Sequence, residues 1–175
     1  MAITINGSGS LGGVTSLPTT GLQLADSNMP AGSVLQVVQN FSTTSTEITT
    51  IDTWYDTASS VTITPTSSSS NILILHTAPG LWNVTSGAAN ARGIRLMRNS
   101  DIAMANDRTG YRSTTGWHGA PWSLVYLDSP SSTSALTYKI QIGMDGGSAN
   151  LRHNDSDSWG GNVKGASLIA MEIAG

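Results

Sequence analysis

Between Trp122 and Ile142 apolar and polar positions alternate in two runs separated by a polar stretch. Trp122, Leu124 and Tyr126 form the first run. Leu136, Tyr138, Ile140 and Ile142 form the second, with Thr137, Lys139 and Gln141 between them. A period of two marks a strand with one dry and one wet face. In the intervening DSPSSTS, Asp128 and Ser129 favour a turn, and Pro130 has no N–H to give to a ladder. The unit reads as a β-hairpin or a strand–loop–strand with a polar tip.

The same period recurs along the chain. Val34–Val38 is a strand, and Glu47–Asp56 is another, with Ile51 and Tyr55 on one face and Ile48 and Trp54 on the other. Val61–Pro65 alternates and stops at the proline. Asn71–Leu75 (NILIL) is apolar on both faces, so it belongs between two packed layers, either two sheets or a sheet and a subunit neighbour. Ala88–Ala105 contains helix formers, but Asn99-Ser100-Asp101 is a turn signal and Gly93 weakens a helix. Strands near Arg92–Arg98 and Ile102–Ala105 are therefore expected. A loop from Asn106 to Ala120 carries Tyr111, Trp117 and His118. After Gly146-Gly147 come a short strand near Leu151 and a second loop, HNDSDSWGGN, with Trp159. In the last strand, Ala166–Ala174, Ile169, Met171 and Ile173 face one way and Leu168, Ala170 and Glu172 the other. Nine or ten short strands and no secure helix predict an all-β fold, a two-sheet antiparallel sandwich of the jelly-roll kind.

Residues 1–32 break this rhythm. After Ile3-Thr4-Ile5 the chain runs through Gly, Ser, Thr and Pro, and it buries too little apolar surface to fold alone. Extended, some thirty residues reach about 100 Å. We read residues 1–32 as an arm that orders on a neighbour through Ile3, Ile5, Leu22 and Leu24, with a floppy terminus as the alternative, and residues 33–175 as the folded body.

Composition narrows the function. Charged residues make up only 11%, against roughly 25% in an ordinary domain. Ser and Thr supply about a quarter of the chain, and there are 19 glycines. Few like charges oppose packing against further copies, which suits an assembly part. The net charge of −3 and the lack of any basic tract argue against nucleic acid. No cysteine is present, no stretch matches a signal peptide, and no apolar run reaches the roughly 20 residues of a membrane span. The expectation is a chain made in the cytoplasm that inserts into no membrane.

Chemical motifs are weak. Gly7-Ser8-Gly9-Ser10-Leu11-Gly12 spells a dinucleotide fingerprint, but no helix follows it, so no cofactor is expected. Asn154, Asp155 and Asp157 offer cation-type oxygens in what reads as a solvated turn, and His76, His118 and His153 are scattered, so no metal site is assigned. Glu47 and Glu172 lie in strands and form no catalytic pair. The loop aromatics either cap the open end of the core or touch a partner, which makes Tyr111, Trp117, His118 and Trp159 receptor-contact candidates. Small Ala170, flanked by Gly165 and Gly175, permits close approach about a rotation axis. Leu168, Ala170 and Glu172 are therefore candidates for a homotrimer interface, with an arginine of the Arg92–Arg98 strand, Arg95 among them, pairing with Glu172.

Five segments taken in order, MAITINGSGSLGG, PAGSVLQVVQ, SVTITPTSSSSNILI, YLDSPSSTSALTYKIQI and SLIAMEIAG, resemble small bacteriophage virion proteins of the tail-fibre or tail-appendage type. The likeness covers Pro30–Ala174 and the residues up to Gly13. It implies a non-enzymatic virion component with a trimeric jelly-roll body, and it supplies no catalytic residues. The expected partners are two further copies, other virion proteins through the arm, and a host surface glycan or protein. A capsid-decoration protein is the alternative, and a carbohydrate-binding lectin-like module is a third.

Overall fold

The computed structural model describes residues 29–83, 89–112, 118–145, 151–154 and 165–175, with the backbone alone at 81–83, 89–92, 105–112, 118–120 and 145. Ten strands are present among them: β1 (Val34–Ser42), β2 (Thr46–Ile48), β3 (Thr53–Ile63), β4 (Asn71–Asn83), β5 (Ala89–Arg98), β6 (Asp101–Arg112), β7 (His118–Asp128), β8 (Leu136–Asp145), β9 (Leu151–His153) and β10 (Ala166–Ile173). They form two sheets. One runs β1-β10-β4-β9-β2, with β7 also on β4, and the other runs β3-β8-β5-β6. Every pairing is antiparallel, and the chain crosses repeatedly between the sheets, as in a jelly roll.

The core lies between the sheets. Ile72 and Ile74 of β4, Leu124 of β7 and Leu168 and Ala170 of β10 pack against Val61 and Ile63 of β3, Ile94 and Leu96 of β5, and Leu136, Tyr138, Ile140 and Ile142 of β8. The inward alternation of β8 is therefore as read, and so is the turn at Asn99, whose φ of 54° suits an asparagine. The Trp122–Ile142 unit resolves in favour of strand–loop–strand. β7 pairs with β4 in one sheet and β8 pairs with β3 and β5 in the other, so the polar stretch crosses between layers.

Two element boundaries differ from expectation. Glu47–Asp56 is not one strand: β2 ends at Ile48 and β3 begins at Thr53, in the other sheet. Asp52 makes the break with a φ of 56°, donating its N–H to the Met144 carbonyl at 2.8 Å. Ile48 is consequently buried and Trp54 exposed, and the two share no face. Conversely, Thr53–Asp56 and Val61–Ile63 are one strand interrupted by a bulge, across which Thr57 donates its hydroxyl to the Ile140 carbonyl at 2.9 Å.

The body closes on itself where the chain enters. Gly32 donates to the Ala174 carbonyl at 2.8 Å, and Ala174 donates back to Ser33 at 2.8 Å. This clasp sits at the end of the β1–β10 ladder, where Val34 pairs with Ile173.

Candidate contact surfaces

Because β10 lies between β1 and β4, its two faces have opposite fates. Leu168, Ala170 and Glu172 are wholly buried inside the chain's own sandwich, which corrects their expected place at a trimer contact. Glu172 is satisfied internally. Gln36 donates to its Oε2 at 2.6 Å, and the Thr66 N–H and hydroxyl donate to its Oε1 at 2.7 and 2.8 Å. Burial would raise its pKa, but these donors outweigh burial and hold it below the usual value. No arginine is needed. Arg95 lies in the other sheet, where it donates to Gln141 at 2.7 Å and stacks over Trp54 at 4.3 Å from the ring centroid.

The opposite face of β10 is the one turned outward, and it continues across four strands. Ladder registers place Val37, Met171, Leu73 and Leu127 in one row. Ile169, Leu75 and Val125 share the next row with Gln39, and Val34 and Ile173 begin a third. Val125 is 69% exposed, Leu127 56% and Phe41 62%. The remaining positions are Asn71, Ser167, Thr77 and Ser123, so these rows carry no charge. The NILIL run is thus apolar on both sides because Ile72 and Ile74 enter the core while Leu73 and Leu75 join this surface.

The outer face of the second sheet is polar. Asp56 accepts from Lys139 at 2.7 Å and also from Gln141, and Thr62 pairs with Thr137 at 2.9 Å. Burial pushes the Asp56 carboxyl up, but the hydrogen bonds from Lys139 and Gln141 bring it below the usual range. Trp54 lies over two cross-strand glycines, where a Cβ on Gly93 would sit 2.5 Å, and one on Gly143 3.0 Å, from the indole.

The receptor-contact candidates are only partly located. Trp117 and Trp159 lie outside the described residues. Tyr111 and His118 are not in a loop: β6 runs through to Arg112 and β7 starts at His118. Tyr111 pairs with Asn90, and His118 pairs with Asn83. Asn83 also pairs with Leu151, and Ala91 with Asp145. The strand ends flanking residues 84–88, 113–117 and 146–150 therefore gather at one end of the sandwich, and Asn154, which precedes 155–164, donates to the Gly80 carbonyl beside them at 2.9 Å. Ile3, Ile5, Leu22 and Leu24 likewise lie outside the described residues.

Three buried polar groups escaped sequence reasoning. Asp128 accepts two bonds from Arg98 Nη1, both at 2.9 Å, and one from the Tyr138 hydroxyl at 2.6 Å, tying the sheets together. The Asp128 bond holds Arg98 above its usual pKa, while burial and then the same carboxylate hold Tyr138 above its own. Asn154, placed by the sequence in a solvated turn, is instead buried, donating to the Ser42 and Thr44 carbonyls and accepting from the Gly165 N–H. His76 and His153 stack with their centroids 5.5 Å apart, and the His76 Nδ1 donates to the Ser167 carbonyl at 2.9 Å. Burial lowers the pKa of both imidazoles, His76 to about 4 and His153 to about 3. Among the described residues no group of three His, Cys, Asp or Glu is placed to hold a metal ion.

No family model matches the sequence, and no curated protein does. Solved structures overlap it loosely. Infectious bursal virus derived T=1 particles give a TM-score of 0.43 at 12% identity, over 91% of this chain and 41% of that one. The infectious bursal disease virus VP2 subviral particle gives 0.38 at 13%, over 91% and 42%. Dimeric latent PorU from Porphyromonas gingivalis gives 0.39 at 7%, over 87% and 14%. The chain spans about four-tenths of the length of the bursal virus chains, and likeness at this level does not place it in their family.

Proposed function

We propose that the chain is a non-enzymatic structural protein of a bacteriophage virion, a tail fibre or tail appendage that displays a jelly-roll head for contact with a host receptor. The observation that carries the reading is the polarity of the sandwich. The arm enters at Val34, which pairs with Ile173, and Ile173 pairs with Asn71 at the start of β4. The strand ends leading to Trp117 and Trp159 gather at the far end of β4, twelve residues on at Asn83, a span of about 40 Å at ~3.3 Å per residue. Attachment to other virion proteins through residues 1–32 and contact with a surface glycan or protein are thereby kept at opposite ends. The five segments whose order resembles phage tail-appendage proteins support the same reading.

Two experiments test it. Deleting residues 1–31 should leave a soluble body with an unchanged melting temperature that is absent from purified particles; normal incorporation would remove the arm from its role. Trp117→Ala and Trp159→Ala should abolish cell attachment without shifting the melting temperature, and a large drop in that temperature would mark the rings as core caps. A capsid-decoration role is the second reading, favoured by the uncharged sheet face, which suits a cement. Imaging a labelled copy on the particle separates the two, since a few positions at the tail and hundreds on the head are different pictures.

A further inference from the structure

The geometry points to a binding site for a carboxylated sugar on the polar outer face of the β3-β8-β5 sheet, built on Arg95 and Trp54. That the sugar belongs to a host surface rests on the virion reading; the site itself does not. Ladder registers put Trp54, Gly143 and Gly93 in one row and Asp56, Gln141 and Arg95 in the next, with Lys139 two residues before Gln141 on the same face. Glycine inside a strand marks a place where another group approaches closely. Here that group is the Trp54 indole, which lies across both glycines on the side of the sheet away from the core. The ring stays 39% exposed.

What this face offers a ligand follows from its hydrogen bonds. Asp56 Oδ2 accepts from Lys139, Asp56 Oδ1 accepts from Gln141, and Gln141 Oε1 accepts from the Arg95 Nε–H. Each of these acceptor oxygens is engaged. The spare capacity is donor: the Nη groups of Arg95 and further N–H groups on Lys139 and Gln141, none bonded to an acceptor among the described residues. Lys139 and Arg95 also leave one cation uncompensated by Asp56, on a chain whose net charge is −3. A face with donors to spare and a local positive excess suits a ligand made of acceptors and carrying negative charge. Arg95 is held ready for it, with Nε tied to Gln141 and its guanidinium carbon 4.3 Å from the indole centroid, so the fork is preorganised. The exposed indole separates a sugar acid from a bare anion. Inorganic sulfate gains nothing from an apolar ring beside it, whereas a pyranose carries C–H groups next to its carboxylate.

Saturation-transfer NMR on the full-length protein at low ionic strength tests the site, with D-galacturonate and D-glucuronate as probes and D-galactose and D-glucose as neutral controls. The two acids should take up saturation and the neutral sugars should not. Arg95→Lys keeps the charge but removes the fork, and it should cut the signal at least about fivefold with an unchanged β-sheet spectrum. Thr62→Ala, farther along the same face, should leave the signal as it was. Equal signals from acid and neutral sugars, full binding by Arg95→Lys, or no signal from either acid overturns the proposal. So does displacement of galacturonate by an equal concentration of inorganic sulfate, which would mark a site for any anion. Acid-sugar binding by a protein never found on particles would keep this site and remove the virion reading. A particle-borne protein that binds neither acid would do the reverse.

Discussion

Replacing Asp128 by alanine tests whether the two sheets are held together by a polar tie as well as by the apolar core. The carboxylate is buried at the end of β7, with Arg98 bonded to both oxygens and Tyr138 bonded to one. Truncation strands the Tyr138 hydroxyl in a residue with no exposure, which costs about 1–3 kcal/mol. The Arg98 side chain is 30% exposed and can turn to water, so losing its partner adds only about 1 kcal/mol. The expected loss is therefore about 3 kcal/mol, a large share of a stability of roughly 5–15 kcal/mol. Urea unfolding at one fixed protein concentration reads it. The cycle partner is Tyr138→Phe. It should be costly in the parent and close to neutral, or stabilising, once Asp128 is alanine, since the phenol then has no partner to lose. If Asp128→Ala costs under about 1 kcal/mol, or Tyr138→Phe costs the same in both backgrounds, the tie contributes nothing and the argument is wrong.

Two further outcomes are expected. The stacked histidines have folded pKa values near 4 and 3, below the ordinary 6.5, so the unfolded chain binds more protons between these limits. Their contribution is whole above about pH 6.5 and falls with decreasing pH; His76 alone should remove roughly 3 kcal/mol by pH 4, and a pH–stability curve that His76→Phe leaves unchanged would refute this. Gly93→Ala should cost about 1–3 kcal/mol by displacing the indole, and much less in a Trp54→Ala background, with equal costs in thermal melts counting against the contact.

The parts of the fold legible in the sequence were those where inward positions are all apolar, such as Leu136 to Ile142. β3 was not legible as one strand because its inward positions include Thr57 and Ser59, buried yet polar; the Thr57 hydroxyl donates to the Ile140 carbonyl and accepts from the Ser59 N–H. The alternation of β10 was read correctly but its sides were misassigned. Ile169, Met171 and Ile173 look like core, and Glu172 looks like a group that needs another subunit. Its actual donors, Gln36 and Thr66, are more than 100 residues away and become visible only with the ladder registers. Tyr111 and His118 looked like loop residues beside Gly110 and Gly119, yet cross-strand pairing carries β6 and β7 through those glycines. His76 and His153 lie 77 residues apart, and no local pattern could join them.

The clasp between Gly32, Ser33 and Ala174 has a mechanical consequence. If residues 1–32 attach the body to a particle as proposed, the body is loaded in tension, and the load enters at Ser33, beside the last rung of the β1–β10 ladder. An antiparallel pair pulled apart from one end opens rung by rung, so each hydrogen bond bears the force in turn instead of all sharing it. Among the described residues β1 is an edge strand with β10 as its only ladder partner, so it should peel first and lengthen the tether while β10, β4 and the core behind them stay folded. The head would then yield gradually under drag. In single-molecule pulling between the arm and the Ser131 loop, the signature is a short, low-force extension preceding the main rupture, and a single all-or-none rupture would rule it out.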